Sequence, residues 1–112
     1  MTERIAVAAP RIGWVDASSG ASGDMLLAAL VGSGVPPDTI QRAVASLGMA
    51  VRVDLRPTTD RSLTAWQAIV TPDEVEPPIR RLGDIREILR AADLDPSVRD
   101  LALAVFERLA HA

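Results

Sequence analysis

Asp16 and Asp24 bracket a run of serines and glycines, W-V-D-A-S-S-G-A-S-G-D-M from Trp14 to Met25, that holds the residues best suited to chemistry. Carboxylate oxygens in this number and spacing could hold a hard cation. The same loop leads into a helical pattern, and a helix N-terminus offers backbone N–H groups and a dipole that favour an anion. Each residue also has a role that needs no ligand. With Ser22 as N-cap, Asp24 falls at the second helical position, where a carboxylate offsets the dipole. Ser19 and Ser22 suit loop and cap duties, while Gly20 and Gly23 permit a tight turn or a close backbone approach.

Nucleophilic catalysis finds no support. A nucleophile elbow needs G-x-S-x-G, whereas Gly20-Ala21-Ser22-Gly23-Asp24 spaces its glycines differently. The sole histidine, His111, stands at the last position but one and reads as exposed. Asp73, Glu74 and Glu76 read as a solvated loop before a cation site. Arg80, Arg81 and Arg86 read as a solvated face before an anion-binding one. Trp14 and Trp66 are expected in the core.

Composition narrows the classes further. The chain has no cysteine, so neither a disulfide framework nor a thiolate metal site can form. All twelve cationic residues are arginine, which excludes a P-loop lysine and Schiff-base chemistry. A net charge of −3 with no basic run argues against nucleic acid. No apolar run approaches the ~20 residues of a membrane span, so the expectation is a cytoplasmic protein. With 48 % apolar residues the chain can bury a core, and one of aliphatic side chains because aromatics are only 3 %.

These residues must be positioned by surrounding elements. Residues 1–10 read as a loose leader and 11–112 as one domain. Ile12–Ala17 reads as a short buried strand, followed by the loop and a helix over Asp24–Val31 that stops at Gly32-Ser33-Gly34. A second helix opens at Val35-Pro36-Pro37-Asp38 and runs to Leu47, with Ile40, Val44 and Leu47 on its apolar face. The period then changes to two: Val51, Val53 and Leu55 alternate with Arg52, Asp54 and Arg56. Pro57-Thr58-Thr59-Asp60 should break this strand, and a second, about Ala65–Thr71, should pair antiparallel with Trp66, Ala68 and Val70 on one face. A proline-rich acidic loop leads to a third helix from Asp84, whose Asp84–Glu87 spacing suits a capping box. Asp95-Pro96 opens a fourth, in which Val98, Leu101, Ala102, Val105 and Leu109 form one stripe. The expected architecture is α+β, a small antiparallel sheet packed against about four helices in the order β-α-α-β-β-α-α. The last helix lacks a stop signal, which suggests a continuing chain in related proteins.

The segment Asp16–Met25 resembles the D-x-F-S-G-I-S-G-D-M opening of the LarC nickel insertion proteins, which act in making the nickel-pincer cofactor of lactate racemase. Leu26–Pro36 is similar to the family's following helix and G-V-P. Arg61–Ala65 resembles its R-x-G-I-x-A segment, and Leu82–Ile85 through Phe106–Ala110 its later helical pair. Two departures stand out. Ala17-Ser18 replaces a small residue and Phe, and Pro77-Pro78-Ile79-Arg80-Arg81 stands where histidines usually precede L-x-D-I.

The resemblance implies a nickel chelatase of the lyase class that inserts Ni²⁺ into pyridinium-3,5-bisthiocarboxylic acid mononucleotide with CTP and a divalent metal. It implies metal or catalytic roles for Asp16 and Asp24, and substrate or cofactor binding at Ser19, Gly20, Ser22 and Gly23. Because the family's C-terminal half is absent, the chain reads as an N-terminal domain that needs a C-terminal partner on a separate chain. A homo-oligomer stays open. The competing readings are a non-catalytic interaction module that keeps the scaffold without metal ligands, and a small acidic domain that binds nucleotide phosphate.

Overall fold

The computed structural model describes residues 9–112. Of the leader expected over 1–10, positions 1–8 lie outside the described residues, and Ala9 and Pro10 belong to no helix or strand. The elements are α1 (Gly23–Gly32), α2 (Pro37–Ser46), β1 (Val51–Asp60), β2 (Leu63–Pro72), α3 (Leu82–Ala91) and α4 (Pro96–His111). The class is α+β, as expected. The strand expected over Ile12–Ala17 is not formed: among the described residues the sheet contains only β1 and β2. An apolar run becomes a strand only when a neighbour satisfies its N–H and C=O groups, and among the described residues none pairs with it.

Helix α1 is stopped by a Schellman motif. Val35 N–H donates to Leu30 O at 3.1 Å and Gly34 N–H to Val31 O at 3.0 Å. Gly34 sits at φ +112°, a backbone state in which a side chain is strained. The stop turns the chain so that Val35 reaches the same core as Leu27 and Val31 of α1. Pro37 occupies the first turn of α2, where its missing N–H costs nothing.

The hairpin is longer than its alternation indicates. β1 continues through Pro57, which pairs opposite Trp66, and reaches Asp60 opposite Leu63. Proline is tolerated because each strand of a two-stranded sheet is an edge, with one side's ladder unused. The turn falls instead on Arg61 and Ser62, at φ +47° and +69°. Two consecutive positive φ values make a type I′ turn, whose twist matches that of the strands. Register places Val53 and Leu55 on the same face as Trp66 and Ala68. That face receives Val31 from α1 and Ile40 and Val44 from α2, forming the main core. Burying a side chain the size of Ile40 contributes about 1.5–3 kcal/mol.

Helices α3 and α4 form a second, smaller packing unit. α3 starts at Leu82, two residues before the expected Asp84. Asp84 is therefore its third residue, where its carboxylate accepts the Arg81 N–H at 2.8 Å. Leu89 and Ala92 are buried, with Ile85, Ile88 and Phe106 half-buried around them. Arg86 of α3 and Glu107 of α4 pair at 3.1 Å. Arg99 of α4 donates to Leu94 O at 3.3 Å, tying down the connecting turn. At the start of α4, Asp95 accepts the Ser97 N–H at 3.2 Å, the cap its sequence predicts.

The packing face of α4 departs from expectation. Ala102, Leu103 and Phe106 are its half-buried apolar residues, whereas Val98, Leu101, Val105 and Leu109 point outward and are exposed. The helix thus carries a second apolar stripe that is exposed among the described residues, with Val98 at its start bordering a hollow shared with Thr39, Arg42, Ala43 and Ser46 of α2. Also among the described residues, no helix is long and apolar enough to cross a membrane.

Candidate functional site

The loop before α1 is a compact turn stitched by its own aspartates. Gly20 N–H donates to Ala17 O at 3.0 Å, and Gly20 takes φ +108°. Glycine suits this backbone state, in which a side chain would be strained; space is not the constraint, since a Cβ would meet the Met25 sulfur at 3.6 Å, an ordinary contact. Asp16 closes the first half, its Oδ1 accepting the Ser18 N–H at 3.0 Å. Asp24 closes the second, its Oδ1 accepting the Met25 N–H at 3.0 Å and the Ser22 hydroxyl.

Ser22 is the N-cap residue, as its position predicts, yet its side chain makes no cap hydrogen bond. Its hydroxyl is turned to Asp24, which takes over the capping of the first turn. Asp24 thus stands at the second helical position with the dipole in its favour.

Both carboxyls titrate below the usual aspartate range. For Asp16 the main cause is the Ser18 N–H, then the Ser18 hydroxyl. For Asp24 it is the Ser22 hydroxyl, then the Met25 N–H. Donors of this kind stabilise the charged form, and neither group is desolvated enough to offset them. Near neutral pH the loop therefore presents two ionised carboxylates to solvent.

That charge decides which ligand the site suits. Asp24 has already taken the Met25 N–H and puts a negative charge at the helix entrance, where a phosphate would otherwise sit. The arrangement favours a cation over an anion. Asp16, Ser19, Gly20, Ser22, Gly23 and Asp24 are all exposed, so a ligand can reach each of them. Among the described residues, however, no group of three or more His, Asp or Glu could hold a metal ion. Without a third such ligand or an imidazole beside them, the two carboxylates do not make up a complete metal site among the described residues.

Beside the loop lies an open groove of about 550 Å³ between Met25, Ala28, Ala29 and Gly32 of α1 and Thr64, Ala65 and Trp66 of β2. A second hollow, of about 230 Å³, shares Met25, Ala28 and Trp66 and reaches Asp24. Trp66 therefore has two roles. It packs on the core, as expected, and also walls the space next to Asp24. The period-two pattern shows its face of the strand, but only the hairpin register sets it opposite α1. Trp14, expected in the core, is exposed instead, because the strand that would have buried it is not formed.

The remaining charged candidates are largely occupied. Glu74 and Arg80 form a half-buried pair at 2.6 Å, Arg52 pairs with Asp73 at 3.1 Å, and Arg86 is held by Glu107. These contacts pin the proline-rich loop and the helical pair. His111 is exposed in the last turn of α4.

The chain is 47 % identical over 102 residues to a pyridinium-3,5-bisthiocarboxylic acid mononucleotide nickel insertion protein of a Nocardioides species, covering 88 % of this chain and 25 % of that protein. It is 43 % identical over 107 residues to a putative nickel insertion protein of Thermomicrobium roseum, covering 91 % and 25 %. Against one from Archaeoglobus fulgidus it is 36 % identical over 97 residues, covering 87 % and 24 %. The chain thus spans about a quarter of the length of these curated relatives. No solved structure matches it at a significant level. The sequence pattern of the nickel insertion protein family matches residues 14–112, from Trp14 through the aspartate loop to the end of α4, and the chain belongs to that family.

Proposed function

We propose that this chain is the N-terminal domain of a nickel insertion protein and presents the loop Asp16–Asp24 to the metal and the mononucleotide. The observation that carries this reading is the pair of exposed, ionised carboxylates at the start of the family match. Nickel is the cargo in this reading. Asp16 and Asp24 attract Ni²⁺, or orient the positively charged pyridinium ring of the substrate, before the metal is passed on. Ser19, Gly20, Ser22 and Gly23 line the approach and meet the polar groups of the mononucleotide. CTP, its divalent metal and the further nickel ligands belong to a C-terminal domain, in the part of the relatives that lies outside the matched quarter. The setting is the cytoplasm and the product the nickel-pincer cofactor of lactate racemase. Insertion as a lyase-type chelatase is an activity of the assembled protein.

A second reading has its own observation. With no third metal ligand near the two aspartates among the described residues, the chain could serve as a binding module that keeps the scaffold without catalysis.

The test is a hybrid in which this chain replaces the matching region of the full-length Nocardioides relative. The proposal expects the hybrid to metallate the mononucleotide when given Ni²⁺ and CTP, with the unaltered relative as reference. A folded hybrid that binds the mononucleotide but leaves it unmetallated supports the binding module. One that binds neither nickel nor mononucleotide sinks both readings.

A further inference from the structure

The chain exposes 9567 Å², whereas a compact monomer of its 11.9 kDa exposes about 5,900 Å². Allowing the eight undescribed residues the roughly 1,200 Å² of a fully extended chain leaves an excess of about 2,400 Å². One side of a large, stable interface buries roughly 1,000–2,500 Å², so the excess is of interface size. Nor is any large side chain fully buried among the described residues.

Exposed large apolar side chains occur elsewhere too, as at Leu63, Val75 and Ile79, but two places carry runs of them. The first is the extended segment before the aspartate loop, where Ile12 is 97 % and Trp14 90 % exposed. Its run of strand-forming residues joins no strand among the described residues. The second is the outer stripe of α4, where Leu101 is 68 % and Leu109 69 % exposed, with Val105 between them and Val98 a turn before. These four follow helical spacing, and α4 already packs on α3 through Ala102, Leu103 and Phe106. A helix apolar on both sides is characteristic of one covered on both sides.

We infer that these two places are docking surfaces for the polypeptide that makes up the other three-quarters of the longer relatives. That polypeptide adds a strand alongside Ile12–Val15 and lays an apolar face on the Val98–Leu109 stripe. The occupant is identified by the relatives' length, about four times the matched region, and by the size of the excess area. The inference rests on the N-terminal-domain reading above. It adds that docking would hold both ends of the matched region, and with them the aspartate loop.

Hydrogen exchange measured on the 112-residue chain, the full-length Nocardioides relative and the hybrid tests it. Amides of Ile12–Val15 should exchange freely in the chain alone. They should be protected roughly 100-fold or more in the hybrid, and the aligned amides likewise in the relative. Leu101→Glu with Val105→Glu should leave the melting temperature of the chain alone unchanged, because both residues are exposed there, and should lower that of the hybrid. Free exchange at Ile12–Val15 in hybrid and relative alike overturns the inference. Protection of the same amides in the chain alone, with a dimeric mass in solution, also overturns it by making a second copy the occupant. If the hybrid fails to fold, the relative's exchange pattern decides alone. Docking and chemistry separate cleanly: protection without metallation leaves this inference standing and removes the nickel reading, and metallation without protection does the reverse.

Discussion

The Ser22 hydroxyl donates to the Asp24 carboxylate instead of accepting from the helix it begins, so a single aspartate both caps α1 and faces solvent beside Trp66. Capping and ligand binding compete for the same oxygen atoms. A ligand drawing Asp24 away would loosen the first turn of α1, coupling binding to helix order. Asp24→Ala should therefore speed amide exchange in the first turn of α1, while Asp24→Asn, which keeps an acceptor oxygen, should largely spare it. Exchange monitored by NMR separates the two substitutions.

The same hydrogen bonds set a pH dependence. Because Asp16 and Asp24 titrate below the unfolded aspartate value, their contribution to loop stability is fully present above that value. It is lost as pH falls through their depressed folded values. Carboxyl chemical shifts should place both midpoints below the ordinary aspartate value. Asp16 should move toward the ordinary value when Ser18 is replaced by proline, which lacks the donating N–H.

The hairpin turn carries strain that glycine would relieve. A non-glycine residue in the left-handed region costs about 1–2 kcal/mol. Glycine gives back roughly 0.5–1 kcal/mol in unfolded-chain entropy. Ser62→Gly should thus stabilise the chain by about 0.5–1 kcal/mol in urea denaturation, and Ser62→Val should destabilise it.

At Gly34 the argument runs the other way. Gly34→Ala keeps the sequence helical but forces a side chain into φ +112°, at a cost of roughly 1–2 kcal/mol. Ile40→Ala empties part of the main core and should cost about 2–5 kcal/mol. Leu89→Ala, buried between α3 and α4, should be additive with it, since the two belong to separate packing units. Thermal and urea melts of the single and double variants check both.

The features legible in the sequence were those with local causes. The stop at Gly32-Ser33-Gly34, the Asp95-Pro96 start of α4 and the face shared by Trp66 and Ala68 follow from capping chemistry and periodicity. The misread features depend on partners. Ile12–Ala17 has the composition of a strand but no neighbour to pair with among the described residues. The stripe Val98–Leu109 has the spacing of a core face, while the residues that pack are Leu103 and Phe106 beside it. Pro57 marks a strand end only where the strand needs both ladders. At the candidate site, the positions of Ser22 and Asp24 were evident from cap spacing, but the turn of the serine toward the aspartate was not. The neighbouring groove was hidden as well, because Trp66 meets α1 only through the hairpin register.

The central claim is that Asp16 and Asp24 face the reaction. It is tested most directly by the rate at which the hybrid protein metallates the mononucleotide when each aspartate is replaced by asparagine. Each substitution should lower the rate roughly 10-fold or more, the loss typical even for residues that only orient a metal ligand, with folding and mononucleotide-independent exchange at Ile12–Val15 unchanged. An unchanged rate in Asp16→Asn and Asp24→Asn hybrids would reduce the two aspartates to loop and helix caps, contradicting the account.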